Sequence, residues 1–289
     1  MIPKPWRLRR SMMITPGHRR ERLEKGATLQ ADSLAFDLED GVPPARKAEA
    51  RATIAAVLRE VDFGRRERAV RINAIGTADF AADLASLPWE RLDALLVPKV
   101  ESAAMLHELD QRLARLAPRR DIAIIATLET PRGVLNALAI ADASPNLAGM
   151  FFGPGDYTLQ TGGALTARAL EFPRATIAAA CGAVGIQAID APFLLGLRDV
   201  EGTLADAMAA KELGFAGKVV FHPDQIAPVN AAFTPDAAEV AKARRFIAAY
   251  REASARGEAV ALVDGEFVAM DLVPRMERIV ALAEEVAAI

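Results

Sequence analysis

The chain has 289 residues, of which 52% are hydrophobic and 25% charged, enough to bury a large core in one α/β domain. Its 35 Lys and Arg against 38 Asp and Glu leave a net charge of −3, so no broad basic field exists to hold nucleic acid. The single cysteine, Cys181, excludes an intrachain disulfide and a cysteine metal cluster, and no apolar run reaches membrane-spanning length. A soluble protein of a reducing compartment, the cytoplasm, is expected.

The basic start, Met1 to Arg10, is not followed by an apolar segment with a cleavage site, so no secretory signal is expected. From there short apolar runs alternate with amphipathic stretches. Ser11–Thr15 reads as a strand and His18–Gln30 as a helix; Ser33–Glu39 is followed by Pro44–Val61, and Arg68–Asn73 by Thr77–Leu87. Ala94–Val100 precedes the helical pattern Ser102–Leu116, and Ile122–Glu129 precedes Pro131–Ala141. Leu147–Gly153 leads to Ala167–Val184, Gln187–Phe193 leads to Asp199–Leu213, and Lys218–His222 is the eighth strand. Helix starts are marked by Pro131 after Thr130 and by Asp199 after Arg198.

Continuous apolar strands such as IAIIATL need cover on both faces, which argues for a parallel sheet. Eight strand–helix units in order argue for a closed (β/α)8 TIM barrel. An open doubly wound sheet is the alternative, but it should carry a Gly-rich turn after its first strand, and TPGHRR is not one. Residues 233–289 break the pattern: a helix over Pro235–Ala255, the hairpin AVALV-DG-EFVAM, and a last helix from Leu272 to Ala288. Asp264–Gly265 suits a tight turn whose two central residues both need positive φ. The expected organisation is a catalytic barrel over 1–232 and a helix–hairpin–helix appendage over 233–289, acting as a lid or a subunit contact.

Functional groups of a parallel barrel gather at the C-terminal strand ends. Here those ends carry Thr15-Pro16-Gly17, Asp37-Leu38-Glu39-Asp40-Gly41, Arg71 with Asn73, Pro98-Lys99, Glu129-Thr130, Gly153-Pro154-Gly155-Asp156, Asp190 and His222-Pro223. Asp37, Glu39, Asp40, Glu129 and Asp156 cannot all ionise side by side without compensation, and a hard divalent cation would supply it. Mg2+ takes one or two carboxylates and fills its octahedron with water and substrate oxygens; Glu129 and Asp156 are the best pair. The Gly153-Pro154-Gly155 turn offers backbone N–H groups to a substrate carboxylate. Thr15 and Pro16 are further candidates for substrate contact. Arg71 either forks onto a substrate oxygen or pairs with one of the carboxylates. Glu39 and Asp40 are expected to act directly or through their neighbours. His222 reads as a buried, hydrogen-bonded histidine, Asp190 as either structure or site, and Cys181 as packing. Arg19, Arg20, Arg22 and Lys25 form either a solvated helix face or an electrostatic seat for phosphates of an acyl carrier. Three scattered histidines do not make a zinc site.

Several stretches together carry a resemblance: RRSMMITPG (Arg9–Gly17), ADSLAFDLEDGVPPARKAEAR (Ala31–Arg51), VRINAIGT (Val70–Thr77), VPKVES (Val97–Ser102), ATLETPRGV (Ala126–Val134), FFGPGDYTLQTG (Phe151–Gly162) and GKVVFHPDQIAPVN (Gly217–Asn230). With these the chain resembles the citrate lyase β-subunit-like and malyl-/citramalyl-CoA lyase branch of the HpcH/HpaI aldolase family. The resemblance implies a TIM barrel, Mg2+ on Glu129 and Asp156, Arg71 at the substrate, a CoA or carrier thioester, and trimers or hexamers. It also implies a catalytic aspartate from the adjacent subunit's C-terminal segment, which resembles G-x-M-V-D-x-P. Here that segment is GEFVAMDLVP, so the aspartate's place falls on Ala269; Asp271, two residues later, is the candidate base, with Asp264 or a water as the alternatives. The expected reaction is cleavage of a 3-hydroxyacyl thioester by retro-Claisen chemistry. The Ala269 departure keeps a thioester hydrolase open; an aldolase of free keto acids and a non-catalytic subunit of a lyase complex are the remaining alternatives.

Overall fold

A computed structural model describes residues 7–116 and 122–288; of the basic Met1–Arg10 stretch, residues 1–6 lie outside the described residues. The chain divides into two compact units, Met1–Ala231 and Ala232–Ile289.

The first unit holds eight strands: β1 (Ser11–Pro16), β2 (Ser33–Asp37), β3 (Glu67–Arg71), β4 (Ala94–Val97), β5 (Ala123–Leu128), β6 (Leu147–Phe152), β7 (Gln187–Asp190) and β8 (Gly217–Val220). Each pairs in parallel with the next, and β1 pairs with β8 (Met12 opposite Val219), which closes the barrel. The closed barrel is therefore the one expected, and the open doubly wound alternative is excluded. Its interior is packed by Met12, Ile14, Ala35, Ala69, Ala94, Leu96, Ala123, Ile125, Phe151, Ile189 and Val219, one or two from every strand. Small and branched side chains fit because facing strands leave room for little else.

The helices of this unit are α1 (Arg20–Gly26), α2 (Lys47–Glu60), α3 (Ala78–Ser86), α4 (Ala103–Leu116), α5 (Pro131–Leu135), α6 (Ala137–Ala141), α7 (Pro154–Thr161), α8 (Ala167–Val184) and α9 (Val200–Glu212), with α10 (Ile226–Phe233) at the unit boundary. Thr77, Thr130, Thr166 and Asp199 cap their helices, each side-chain oxygen accepting a backbone N–H of the first turn. Several expected helices are shorter or broken. The Pro131–Ala141 stretch divides at Asn136, whose backbone leaves helical geometry while its Nδ2 donates to the Glu101 carbonyl at 2.8 Å. The Pro44–Val61 stretch opens with a 3-10 turn over Pro44–Arg46, and α1 ends at Gly26 rather than Gln30. The pattern reading missed α10 as a helix, and saw in α7 only its start.

The second unit contains α11 (Ala237–Ala255), the antiparallel strands β9 (Val260–Val263) and β10 (Glu266–Ala269), and α12 (Val273–Ala287). Asp236 and Glu239 form a reciprocal capping box at the start of α11. Between the strands Asp264 and Gly265 adopt φ of 52° and 81°, the left-handed pair that a two-residue hairpin turn needs.

Candidate active site

Side chains alternate along a strand, so residues two beyond an interior position face the same way. Ala35, Ala69 and Ile125 are interior; Asp37, Arg71 and Thr127 therefore turn into the barrel at its C-terminal end. The same alternation assigns Thr15, next to the interior Ile14, to the helix-facing side. Pro16, in register with Asp37, is on the mouth side.

Asp37 is the anchor. Its carboxylate forks onto Arg71, with Nε to Oδ1 and Nη2 to Oδ2 both 2.7 Å, and accepts the backbone N–H groups of Glu39 and Gly41 at 2.8 and 2.9 Å. The DLEDG turn thus wraps around its own first carboxylate. A second brace holds the loop from behind. Lys47 Nζ donates to the Leu38 and Glu39 carbonyls at 3.0 and 3.4 Å and to Asn73 Oδ1, and Asn73 is fixed by Asp83 through its backbone N–H and Nδ2, both at 2.7 Å. Burial opposes the Arg71 guanidinium charge, but the hydrogen bonds to Asp37 and the charges of Asp37, Glu39 and Glu129 outweigh it and raise its pKa. Arg71 is permanently charged.

Glu39 is buried, with Oε1 2.9 Å from Lys99 Nζ and Oε2 3.2 Å from Arg71 Nη1. That second oxygen accepts no hydrogen bond: Arg71 gives Nε and Nη2 to Asp37 and meets Glu39 through Nη1 only as an ion pair. Burial raises the Glu39 pKa, and the Arg71 and Lys99 charges only partly offset it. Lys99 lies just past β4 with φ of 55°, a left-handed conformation that is costly for a lysine. The twist lets it serve two sides. Its backbone N–H donates to Glu129 Oε1 at 2.8 Å, while its ammonium is 3.6 Å from Asp40 Oδ2 and 3.5 Å from Asp156 Oδ2. Burial works against that ammonium, yet Glu39, Asp40 and Glu129 raise its pKa.

Glu129, one residue past β5, is buried. With only the chain's own charges around it, burial and then the charges of Glu39 and Asp156 push its carboxyl up to about 8. Asp156 sits in the first turn of α7, where a negative charge meets the positive end of the helix. Gly153, the residue before α7, lets Glu129 approach. A Cβ there would lie 2.5 Å from Glu129 Cβ and 2.8 Å from its Oε2.

The donor set suits a divalent cation of the magnesium kind. Glu129 and Asp156 repel each other, one buried Glu39 oxygen accepts no hydrogen bond, and the cations in reach are the Arg71 guanidinium, forked onto Asp37, and one lysine. Among the described residues no group of three or more His, Cys, Asp or Glu side chains is arranged to hold a metal. The protein would supply two carboxylates, as Mg2+ accepts and a structural zinc does not.

Other expectations fall elsewhere. Asp190 is fully buried on the helix-facing side of β7, forked by Arg174 at 3.0 and 2.7 Å and bound to Lys218 Nζ at 2.5 Å; it is structural. His222 is half-buried rather than buried: its Nδ1 accepts the Asp224 N–H at 3.2 Å and caps the turn over Pro223–Gln225. Cys181 is buried, its thiol pushed up to about 12 by burial, and packs as expected. In the basic stretch of α1, Arg20 pairs with Glu24 and Glu60 at the surface. Asp271, exposed beyond β10, has no ion pair or hydrogen bond among the described residues, whereas Asp264 lies 3.4 Å from Arg245. Sequence reasoning gave no part to Lys47, Asp83 or Lys99; the first two brace the loop through a buried asparagine, and only the position of Lys99 after a strand marked it.

The pattern of the HpcH/HpaI aldolase/citrate lyase family matches residues 10–223. The chain is 37% identical to a (3S)-malyl-CoA thioesterase of Cereibacter sphaeroides, covering 96% of each chain. It is 35% identical to the citrate lyase subunit beta of Leuconostoc mesenteroides subsp. cremoris, covering 96% of this chain and 94% of that one. Among solved structures, the CitE protein of Mycobacterium tuberculosis in complex with magnesium, acetoacetate and coenzyme A superposes with a TM-score of 0.76 at 35% identity, over 95% of this chain and 97% of that one.

Proposed function

Because this chain belongs to the HpcH/HpaI aldolase/citrate lyase family, we propose that it is a Mg2+-dependent enzyme that cleaves a 3-hydroxyacyl thioester of the citryl, citramalyl or malyl type. The products are an acetyl thioester and a keto acid. One observation carries this reading: Glu39, Glu129 and Asp156 converge on one rim beside a guanidinium held rigid by Asp37.

Mg2+ held by Glu129 and Asp156 would polarise the substrate hydroxyl and carboxylate oxygens. The chain does the rest. Asp37 fixes the plane of Arg71, and Arg71 meets the negative charge that develops on the thioester oxygen as the carbon–carbon bond breaks. Glu39 keeps Arg71 and Lys99 at their stations, and Asp40 adds charge at the exposed edge. The N–H groups at Gly153, Pro154 and Gly155 differ in use: proline has none, so Gly155 and Asp156 present theirs to a substrate carboxylate. Asp271 takes the hydroxyl proton, working in the site of a neighbouring copy within a trimer or hexamer. The bonding electrons pass to the carbon next to the thioester, which is then protonated, and the former hydroxyl carbon leaves as the ketone of the keto acid. The acyl carrier is CoA or a carrier-protein arm.

Thioester hydrolysis on the same scaffold is the second reading, favoured by Ala269 and by the thioesterase relative. Water attack on the thioester carbonyl expels the thiol and leaves the hydroxyl untouched, so it does not need the base that carbon–carbon cleavage would draw from position 269. Incubation with citramalyl-CoA, malyl-CoA and citryl-CoA plus Mg2+ separates the two: acetyl-CoA with a keto acid marks the lyase, free CoA with the intact hydroxy acid the hydrolase. No product of either kind from a metal-loaded enzyme would refute both. Ala269→Asp should raise the lyase share of turnover where Asp271 is a poor substitute.

A further inference from the structure

The functional reading leaves the Lys99 ammonium without a chemical task. Yet it lies 2.9 Å from Glu39, 3.6 Å from Asp40 and 3.5 Å from Asp156, and the same residue's backbone N–H fixes Glu129. One residue therefore touches both carboxylates assigned to the cation, and its backbone is held at positive φ in doing so. The side chain is 37% exposed, so its tip is free to move, while buried Glu39 offers it a lasting partner.

We propose that Lys99 sets the metal affinity of the mouth: its ammonium is a built-in counter-ion, and a divalent cation enters by exchange, taking Asp156 from it. This rests on the assignment of Mg2+ to Glu129 and Asp156. The ammonium and the metal need the same carboxylate lone pairs and repel each other at these distances. Glu39 and Asp40 keep the displaced ammonium nearby, so it returns when the metal leaves. Lys99 is a positioning and affinity-determining residue, not a catalytic one.

The test compares Mg2+ binding to EDTA-stripped wild type and Lys99→Met by titration calorimetry at low ionic strength. Methionine keeps the stem, the positive-φ backbone and the N–H to Glu129, and loses only the charge. The expected result is a Kd about tenfold tighter in the variant, since one unit charge in contact with a ligand is removed. Thermal unfolding gives a second readout. Stripped Lys99→Met should melt below stripped wild type, and Mg2+ should raise its Tm by more than it raises the wild type's. A merely structural lysine would lower both melts alike and leave the Kd unmoved. Lys99→Arg, which keeps the charge, should retain the wild-type Kd, and Lys99→Gln carries the same expectation as Lys99→Met should that variant aggregate. An unchanged or weaker Kd, or an equal Mg2+-induced shift, overturns the exchange. Wild type that binds no Mg2+ at all overturns the functional reading together with it, a distinct outcome.

Discussion

Replacing Gly153 by alanine should weaken metal binding while Gly155→Ala leaves it intact. Gly153 has φ of −104° and ψ of 95°, a conformation open to any L-residue, so the alanine meets no backbone penalty. The obstacle is the neighbour: the added Cβ would lie 2.5 Å from Glu129 Cβ, where ordinary contact begins at 3.4 Å, a shortfall of 0.9 Å. Thr127 Cγ2 at 3.4 Å and the Glu129 carboxylate at 2.8 Å close the other directions. Overpacking of this size costs ~1–3 kcal/mol of stability. It also moves a carboxylate whose metal geometry tolerates only about 0.2 Å, so the Mg2+ Kd should rise about 10- to 100-fold. At Gly155 nothing lies within 4 Å of an added Cβ, and the gain of a helical alanine should be neutral or stabilise by up to ~1 kcal/mol. Calorimetric titration with Mg2+ and urea unfolding of both variants decide it. Gly153→Ala binding Mg2+ as tightly as Gly155→Ala would refute the placement of Glu129 as a ligand, or the rigidity assumed for it.

Glu129 also predicts a pH dependence. Its carboxyl is raised from 4.5 to about 8 by burial and then by Glu39 and Asp156, so the folded chain keeps a proton that the unfolded chain has released. Stability of the EDTA-treated protein should therefore fall as pH rises between those values and level off above, by at most ~5 kcal/mol. Denaturant unfolding across that window measures it, Glu129→Gln should flatten the slope, and a flat wild-type profile would contradict the burial argument. Arg71→Lys keeps the charge but loses the fork to Asp37; turnover on the best thioester substrate should drop about 10²-fold with little change in Mg2+ Kd. Asp190→Ala leaves Arg174 and Lys218 with a buried surplus of positive charge and should cost ~3–5 kcal/mol in urea unfolding, with the Mg2+ isotherm unchanged in the folded protein.

The barrel was legible because its strands are continuous apolar runs between polar ends, and all eight expected runs overlap an observed strand. Helix limits were less so. Asn136 stops α5 through a side-chain bond to Glu101, a tertiary partner 35 positions back that no local pattern shows. The placement of Glu129 just past β5 and of Asp156 in the turn after β6 was legible from the strand pattern. What Asp190 does was fixed by parity: Ile189 is interior, so its neighbour must face the helices, where Arg174 and Lys218 wait. Lys99 was not legible as a hub. Its position was plain, but its contacts join loops after β2, β4, β5 and β6, and its positive φ is not encoded by a glycine.

The two ends of the barrel show what the chain has spent its charges on. At the strand starts the buried charges of the described residues are matched: Arg9 forks Glu67 and reaches Gln187, Arg10 forks Asp32, and Arg68 with Arg7 closes on Asp93. That end is stability. At the strand ends the accounts are open, with a buried Glu39 oxygen left without a hydrogen bond, a Glu129 carboxyl pushed towards its neutral form, and a lysine in left-handed backbone. Departures from local rules gather at functional rims more often than at strand starts, and these three share one rim. Of these, the Glu129 carboxyl bears most directly on the proposed assignment of Mg2+ to Glu129 and Asp156. On that proposal a bound cation would let Glu129 ionise and leave Lys99 to Glu39 and Asp40, with Arg71 already held by Asp37.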